Sequence, residues 1–224
     1  MDECAWHRVG VDVPSLIAVL SDHLYTTPEV AIRELVANSR DAVIRRRGSG
    51  EPFEPCIRLR TNQAQHALLV GDNGAGMTTA EVRDCLSTIA GSATRSAALA
   101  GDTAGLDDAP SGLFGIGFYA SLIWAHRIEV LTRGAEGALY RWVCEKTAEA
   151  GGRQQVGWRL EQVPEELACW EGPGTEVTLH LDAQVHDHPL LMAYEPGPRR
   201  KLCSSRRTCG KSGWNTCQGL RPGR

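Results

Sequence analysis

Lysine is almost missing from this chain. The 224 residues carry 24 cations, but only Lys146, Lys201 and Lys211 are lysines, and none precedes residue 146. Any cation in the first 145 residues that meets an anionic ligand must therefore be an arginine, a bound metal ion or a helix N-terminus. Long apolar runs are missing too. No stretch approaches the roughly 20 residues that a membrane-spanning helix needs, so no membrane partner is expected. The N-terminus, MDECAWHRVG, lacks the basic-then-apolar pattern of a secretory signal, and the expected location is the cytoplasm. None of the eight cysteines forms a CxxC pair, which excludes the usual zinc and dithiol redox motifs. In a reducing compartment they are expected to be free thiols, many of them buried as small hydrophobes.

Acidic residues are absent after Glu195, where eight cations follow. The preceding body thus holds 16 cations against 27 acidic residues, a balance of about −11. So acidic a body excludes a nucleic-acid partner for the main domain.

What is present is an ordered series of helix and strand patterns. Residues 6–13 read as a short strand, and residues 14–24 place Leu16, Ile17, Leu20 and Leu24 at helical spacing. A second helix is predicted from Pro28 to about Arg47, with Thr27 as N-cap and Gly48-Ser49-Gly50 as the stop. Residues 56–61 and 66–71 read as two strands around a polar turn. Thr78 and Glu81 have the spacing of a capping box opening another helix. Residues 91–111 are rich in Gly, Ala, Ser, Thr and Asp and read as a long mobile surface segment. An apolar helix then carries Leu122, Ile123 and Trp124, and four strand candidates follow at 127–132, 139–145, 156–162 and 175–181. Helices followed by a meander of strands imply an α+β, two-layer sandwich, its sheet mostly antiparallel with helices on one face. Residues 1–185 form the expected domain. The basic, Cys/Gly/Pro-rich stretch 186–224 reads as disordered or as a non-native reading frame.

The helix PEVAIRELVANSRD puts Glu34, Asn38 and Asp41 at spacings i, i+4 and i+7, on one face. At about 100° per residue, Arg33, Arg40 and Arg47 form the solvent strip. Ala31, Ile32, Leu35, Val36, Ala42 and Val43 form a broad apolar arc. The three polar residues lie between that arc and a smaller apolar row of Val30, Ala37 and Ile44. From this helix alone two readings stay open, one wall of a cleft or a second solvated face.

Two glycine-rich turns bear on the choice. GDNGAGMT, residues 71–78, continues directly from a strand and places Asp72 at that strand's end with Gly74 and Gly76 beside it. GLFGIGFYA, residues 112–120, leads into an apolar helix. A strand-end carboxylate can accept a hydrogen bond from an amino group, and glycines let a flat ring approach the backbone. A glycine turn at a helix N-terminus can hold phosphates. An amide oxygen and a carboxylate on a helix can hold magnesium and orient water. Two other motifs mislead. The GIGFYA run resembles a dinucleotide fingerprint but has no strand before it, and Gly210-Lys211-Ser212 mimics the end of a phosphate loop by chance.

LYTTPEVAIRELVANSRDAV, VGDNGAGMT, STIAGSATRS and GLFGIGFYASLIWAHRIEVLTR, in this order, resemble the N-terminal ATPase domain of the Hsp90 (HtpG-like) chaperone family. That family lies within the GHKL ATPases, with DNA gyrase B, MutL-type repair proteins and sensor histidine kinases. The resemblance covers roughly residues 6–182 and implies the Bergerat ATP-binding fold. It implies ATP or ADP as ligand and Mg2+ as cofactor. Glu34 would be the general base for the attacking water, Asn38 the magnesium ligand and Asp72 the adenine anchor. Gly76 would lie close to the ring, Asp41 and Met77 would line the pocket, and Thr175 would join a water network behind the base. Gly115, Ile116, Gly117 and Phe118 would contact the phosphates, and residues 91–111 would be the lid.

The chain departs from the pattern in two places. Gly91 stands where the family has lysine in IAKSG, and Cys85 where an asparagine often faces the nucleotide; Arg95 is the candidate replacement cation. The family's middle domain, with its γ-phosphate arginine, and its dimerisation domain are expected to be absent from this chain. The implied function is an ATP-binding, slowly hydrolysing chaperone domain acting in protein folding on client proteins. The alternative is a truncated or regulatory nucleotide-binding module without efficient turnover. A kinase or MutL-type relative is disfavoured by the lack of a phosphoacceptor-histidine helix and of a basic DNA face.

Overall fold

The computed structural model describes residues 27–87, 117–135, 137–148, 154–185 and 215–220, together with helical positions at 13–15, 17 and 19. The readings for residues 6–12 and 91–111 lie outside the described residues. Val13, assigned by pattern to the end of a strand, is helical.

Helix α1, Pro28–Gly48, starts after Thr27 with proline in its first turn, and Ser49 caps its end. Thr27 occupies the N-cap in extended conformation, but its side chain makes no capping hydrogen bond. Strands β1 (Ile57–Asn62) and β2 (Ala67–Asp72) form a hairpin over a short 3-10 turn, Gln63–Gln65. His66 closes that turn at φ +46°. Helix α2, Thr79–Leu86, carries the complete capping box: Glu81 N–H donates to the Thr78 hydroxyl, and the Glu81 carboxylate accepts from Thr78 N–H. Helix α3 is Gly117–Trp124. Strands β3 (Ala125–Arg133), β4 (Tyr140–Ala148), β5 (Gln154–Gln162) and β6 (Gly174–Leu181) complete the main body.

The sheet runs β5-β4-β3-β6-β2-β1-β7, and every pairing is antiparallel. Strand β7, Asn215–Leu220, lies against β1 with an irregular register between Ile57 and Leu59. Those six residues belong to the stretch read from sequence as disordered. The remainder of 186–224 is outside the described residues.

Alternation along the strands creates two faces. Toward the helices point Ile57, Leu68, Val70, Ile128, Val130, Trp142, Cys144 and Leu179, packed with Leu35 and Val43 of α1 and Leu122 of α3. Apolar on almost every side, α3 can be stable only when covered all round, and Tyr119, Ala120, Ser121, Leu122 and Ile123 are buried. It packs against α1 and β3. On the other face a smaller cluster joins Leu131, Leu139, Val163 and Trp170. Buried Glu176 lies on that face too, 3.8 Å from Arg58. The α+β two-layer sandwich expected from the sequence is therefore present, with its main core between one sheet face and the helices.

Cys56, Cys85 and Cys144 are free thiols, as expected. Cys169 is disulfide-bonded, to none of those three, and departs from the expectation. Burial pushes the Cys144 thiol up to about 12, so it stays protonated and inert.

Two substitutions separate packing from capping. Leu122→Ala should cost about 2–5 kcal/mol, because its side chain has no exposure to lose. Thr78→Ala should cost about 1 kcal/mol through the lost cap. Urea denaturation with a common m-value checks both, and a larger effect at Thr78 would contradict this account of the core.

Candidate functional site

The site is assembled along one side of α1. The apolar arc of this helix is directed inward, with Ala31, Leu35, Ala42 and Val43 buried. Arg33 and Arg47 are exposed and Arg40 is half-buried. Glu34 and Asp41 are half-buried and Asn38 is exposed. The polar row therefore borders the packed face instead of sitting within it, as one wall of a cleft would.

At one end of this wall stands Asp72, the last residue of β2, only 3% exposed. Its Oδ1 accepts the Gly74 N–H at 2.9 Å, and the Ser39 hydroxyl also bonds the carboxylate. Burial raises its pKa to about 6. The Gly74 and Ser39 hydrogen bonds and the positive fields of Arg45 and Arg58 hold back a larger rise.

Asp72 belongs to a polar row crossing three strands. Register places Thr175 of β6 opposite Asp72 of β2 and also opposite Thr132 of β3. Directly opposite residues share a sheet face, so all three point toward the helices. The Thr132 and Thr175 hydroxyls lie 3.0 Å apart. Thr132 also accepts the Met77 N–H at 3.0 Å and donates to the Gly174 carbonyl at 3.3 Å. With its single proton on Gly174, Thr132 must accept from Thr175. The Thr175 oxygen keeps its remaining lone pairs for another donor.

The turn after Asp72 is pressed against α1 and the end of β3. A Cβ on Gly74 would stand 2.7 Å from the Ala42 Cβ, and Ala75 N–H donates to the Ala42 carbonyl at 3.0 Å. Gly76 has φ +65°, and a Cβ there would run into the Arg133 carbonyl group, 2.6 Å from its carbon. No side chain fits at either glycine. Met77 packs, partly buried, against the main core.

At the other end of the wall stands Glu34. A Cβ on Gly117 would fall 2.7 Å from the Glu34 Cδ and 2.9 Å from its Cγ, so the first residue of α3 lies directly on this side chain. Burial raises the Glu34 pKa, while the neighbouring Arg33 charge opposes the rise. The first-turn N–H groups of a helix such as α3 lack intrahelical partners. The Phe118 ring turns away into an aromatic cluster, 5.7 Å from Tyr119 and 5.8 Å from Trp142, which leaves only its backbone for a ligand. Gly115 and Ile116 lie outside the described residues, as do Gly91 and Arg95. Glu34 and Asp41 are seven residues apart, about 10 Å along the helix axis. The site thus has a buried, uncharged-to-anionic end at Asp72 and a second end at Glu34, joined by one helix.

Among the described residues no three His, Cys, Asp or Glu side chains gather as a metal site, and no helix is long and apolar enough to cross a membrane.

Ser39 and Thr132 escaped the sequence reading. Ser39 sits one turn from both Leu35 and Val43, in the middle of the buried arc, and a serine at that position signals a core hydrogen bond. Thr132 follows Ile128 and Val130 at period two, so its inward direction was also readable.

Comparison with known proteins finds similarity over most of the chain. The profile of the family described as histidine kinase-, DNA gyrase B-, and HSP90-like ATPase matches residues 25–167. Chaperone protein HtpG of Methylobacterium nodulans is 34% identical over 191 residues, covering 81% of this chain and 29% of its own length. HtpG of Gluconobacter oxydans is 32% identical over 184 residues, with 78% and 28% covered. HtpG of Helicobacter hepaticus is 30% identical over 186 residues, with the same coverage. The chain spans less than a third of the length of these relatives.

The Asp72 carboxyl gives a pH signature. Its pKa rises from 3.8 to about 6 on folding, so the folded protein holds the proton more tightly. Its contribution to stability is fully present below about pH 3.8 and is lost as pH rises through about 6. That loss should amount to about 3 kcal/mol. Chemical denaturation from pH 4 to pH 7 should show a decline in the parent chain that is missing from Asp72→Asn.

Proposed function

We propose that this chain, which belongs to the histidine kinase-, DNA gyrase B- and HSP90-like ATPase family, binds ATP and ADP at the α1 wall and serves as an Hsp90-like chaperone ATPase domain. The observation that carries this reading is the buried Asp72 carboxylate at the end of β2, followed by a glycine turn packed closely against α1 and the end of β3. A flat base carrying an exocyclic amino group satisfies that carboxylate. Asp72 accepts from the adenine amino group, and Thr175 supports it through bridging water. Gly76 lies against the ring, with Asp41 and Met77 as walls. At the far end Gly115, Ile116, Gly117 and Phe118 offer backbone N–H groups to the phosphates.

Glu34 takes a proton from the attacking water, and its raised pKa brings the carboxylate nearer to neutrality, where a general base works best. Asn38 fits a role as magnesium ligand. Its side chain is exposed one turn from Glu34, and Mg2+ in nucleotide sites is held by few protein oxygens, together with phosphates and water. When bound, the ion neutralises charge on the phosphates. Protein folding in the cytoplasm, with client proteins as partners, is the process to which the HtpG relatives point.

A second reading, nucleotide binding without efficient turnover, is favoured by Gly91 in place of the family's lysine. Turnover measurements separate the two. Glu34→Ala should retain ATP affinity within a few-fold and lose about 100-fold or more in hydrolysis, whereas Asp72→Asn should lose saturable binding. A parent chain with no turnover above that of Glu34→Ala would leave the binding-only reading standing. Full ATP binding in Asp72→Asn would refute the site itself.

A further inference from the structure

Arg46 lies in the run Arg45-Arg46-Arg47, the last turn of α1, where basic residues ordinarily complement the helix dipole. Its side chain does something more specific. Nη1 donates to the Asn73 carbonyl at 2.7 Å and to the Pro173 carbonyl at 3.4 Å. The guanidinium stacks on Phe53, 4.3 Å from the ring centroid. Asn73 directly follows Asp72, and Pro173 precedes Thr175 by two residues. One guanidinium therefore joins the end of α1 to the two loops that carry the base-facing carboxylate and hydroxyl.

Each loop has its own second anchor. Asn73 is tied to the start of β1: its N–H donates to the Cys56 carbonyl, its Oδ1 accepts Cys56 N–H at 2.8 Å, and its Nδ2 donates to Glu54 O at 2.8 Å. The 170–173 loop is held from the other side by Arg133, whose Nε donates to Gly172 O at 3.0 Å and whose Nη2 donates to Trp170 O at 3.3 Å. Arg133 grips only the second loop. Arg46 hydrogen-bonds both from the helix that carries Ser39, the hydroxyl partner of Asp72, whereas Thr132 links the Met77 turn to Gly174 and Thr175 from the sheet side.

We propose that Arg46 is a positioning residue for base recognition: it fixes the Asp72 and Thr175 loops against α1 and so sets the preference for a base bearing an amino group, without touching the nucleotide. The proposal rests on the ATP reading above. A guanidinium is suited to the task because its planar fork can serve two carbonyls and stack on a ring at the same time. Lysine offers the same charge as a single point and cannot reproduce this geometry.

The test compares ATP with inosine triphosphate, which has a carbonyl in place of the adenine amino group, by calorimetric titration of the full chain. The parent chain should prefer ATP. Arg46→Met should weaken ATP binding by about tenfold, the loss expected for a charged hydrogen bond, and leave inosine triphosphate affinity unchanged. Arg46→Lys should restore part of the preference. A general loss of fold would weaken both nucleotides together. An equal fall in both, or an unchanged ATP preference in Arg46→Met, overturns the proposal. If Arg46→Met does not fold, Arg46→Lys decides: a preference below that of the parent supports the proposal, and a parental preference overturns it. A parent chain that binds neither nucleotide refutes the ATP reading itself, and this proposal with it.

Discussion

At Ala42 the turn after β2 meets helix α1 with no side chain between them, backbone amide to backbone carbonyl at 3.0 Å. The rest of the site depends on this contact. It requires glycine at position 74 and a small residue at position 42, and both are present. It brings the Asp72 carboxylate within reach of the Ser39 hydroxyl. It also directs the turn toward β3, where Gly76 has a positive φ and no room for a side chain beside the Arg133 carbonyl. About two turns nearer its N-terminus the same helix meets Gly117 at Glu34, and it can do so only because α1 is fixed here. A rigid helix touched by glycine at two points about two turns apart is a ruler, and that spacing sets the distance between the two ends of the site.

The Asp72 environment shows what such a constraint costs. A carboxylate buried to 3% exposure is strongly disfavoured in its charged form. Three kinds of partner offset the burial: the Gly74 amide, the Ser39 hydroxyl, and the fields of Arg45 and Arg58. None of them neutralises it outright, and the pKa stays raised to about 6. At neutral pH the group is therefore ionised yet incompletely satisfied, the state in which an added donor gains most. The neighbouring threonine pair is arranged in the same way. Thr132 spends its acceptor and donor capacity on Met77, Gly174 and Thr175, and the surplus is left on Thr175, which faces the same side of the sheet.

Much of this was legible in the sequence, for identifiable reasons. The capping box at Thr78, the period-two strands and the stop at residues 48–50 are local signals, and they appear within one to three residues of their expected places. Glu34 beside Gly117, and Asp72 beside Gly74, were readable from motif order. What stayed hidden depends on tertiary approach. Ser39 looked like a spare hydroxyl between two more obvious polar residues, and Thr132 like an ordinary strand threonine. Arg46 was indistinguishable from Arg45 and Arg47, since only the fold shows which of three consecutive arginines meets two loops. The Phe118 ring was also unreadable, because aromatic packing against Tyr119 and Trp142 decides its direction.

The scarcity of lysine acquires a physical meaning in this frame. Arginine is the only cationic side chain before residue 146, and two arginines at the Asp72 end are engaged with backbone. Arg46 holds Asn73 and Pro173, and Arg133 holds Gly172 and Trp170. Their charge stabilises loops at the Asp72 end and lies away from the Glu34 end. At the Glu34 end the described groups are a carboxylate, an amide, the N-terminus of α3 and Arg33, which is exposed on the solvent strip of α1, and a carboxylate repels phosphate. On the proposed ATP reading, affinity should therefore come mainly from the base, beside the polar row of Asp72, Thr132 and Thr175. The phosphates must rely on backbone N–H groups and a bound cation. On the proposed reading, such a site would select its ligand by the base, and chemistry at the far end would depend on a bound cation more than on side-chain charge.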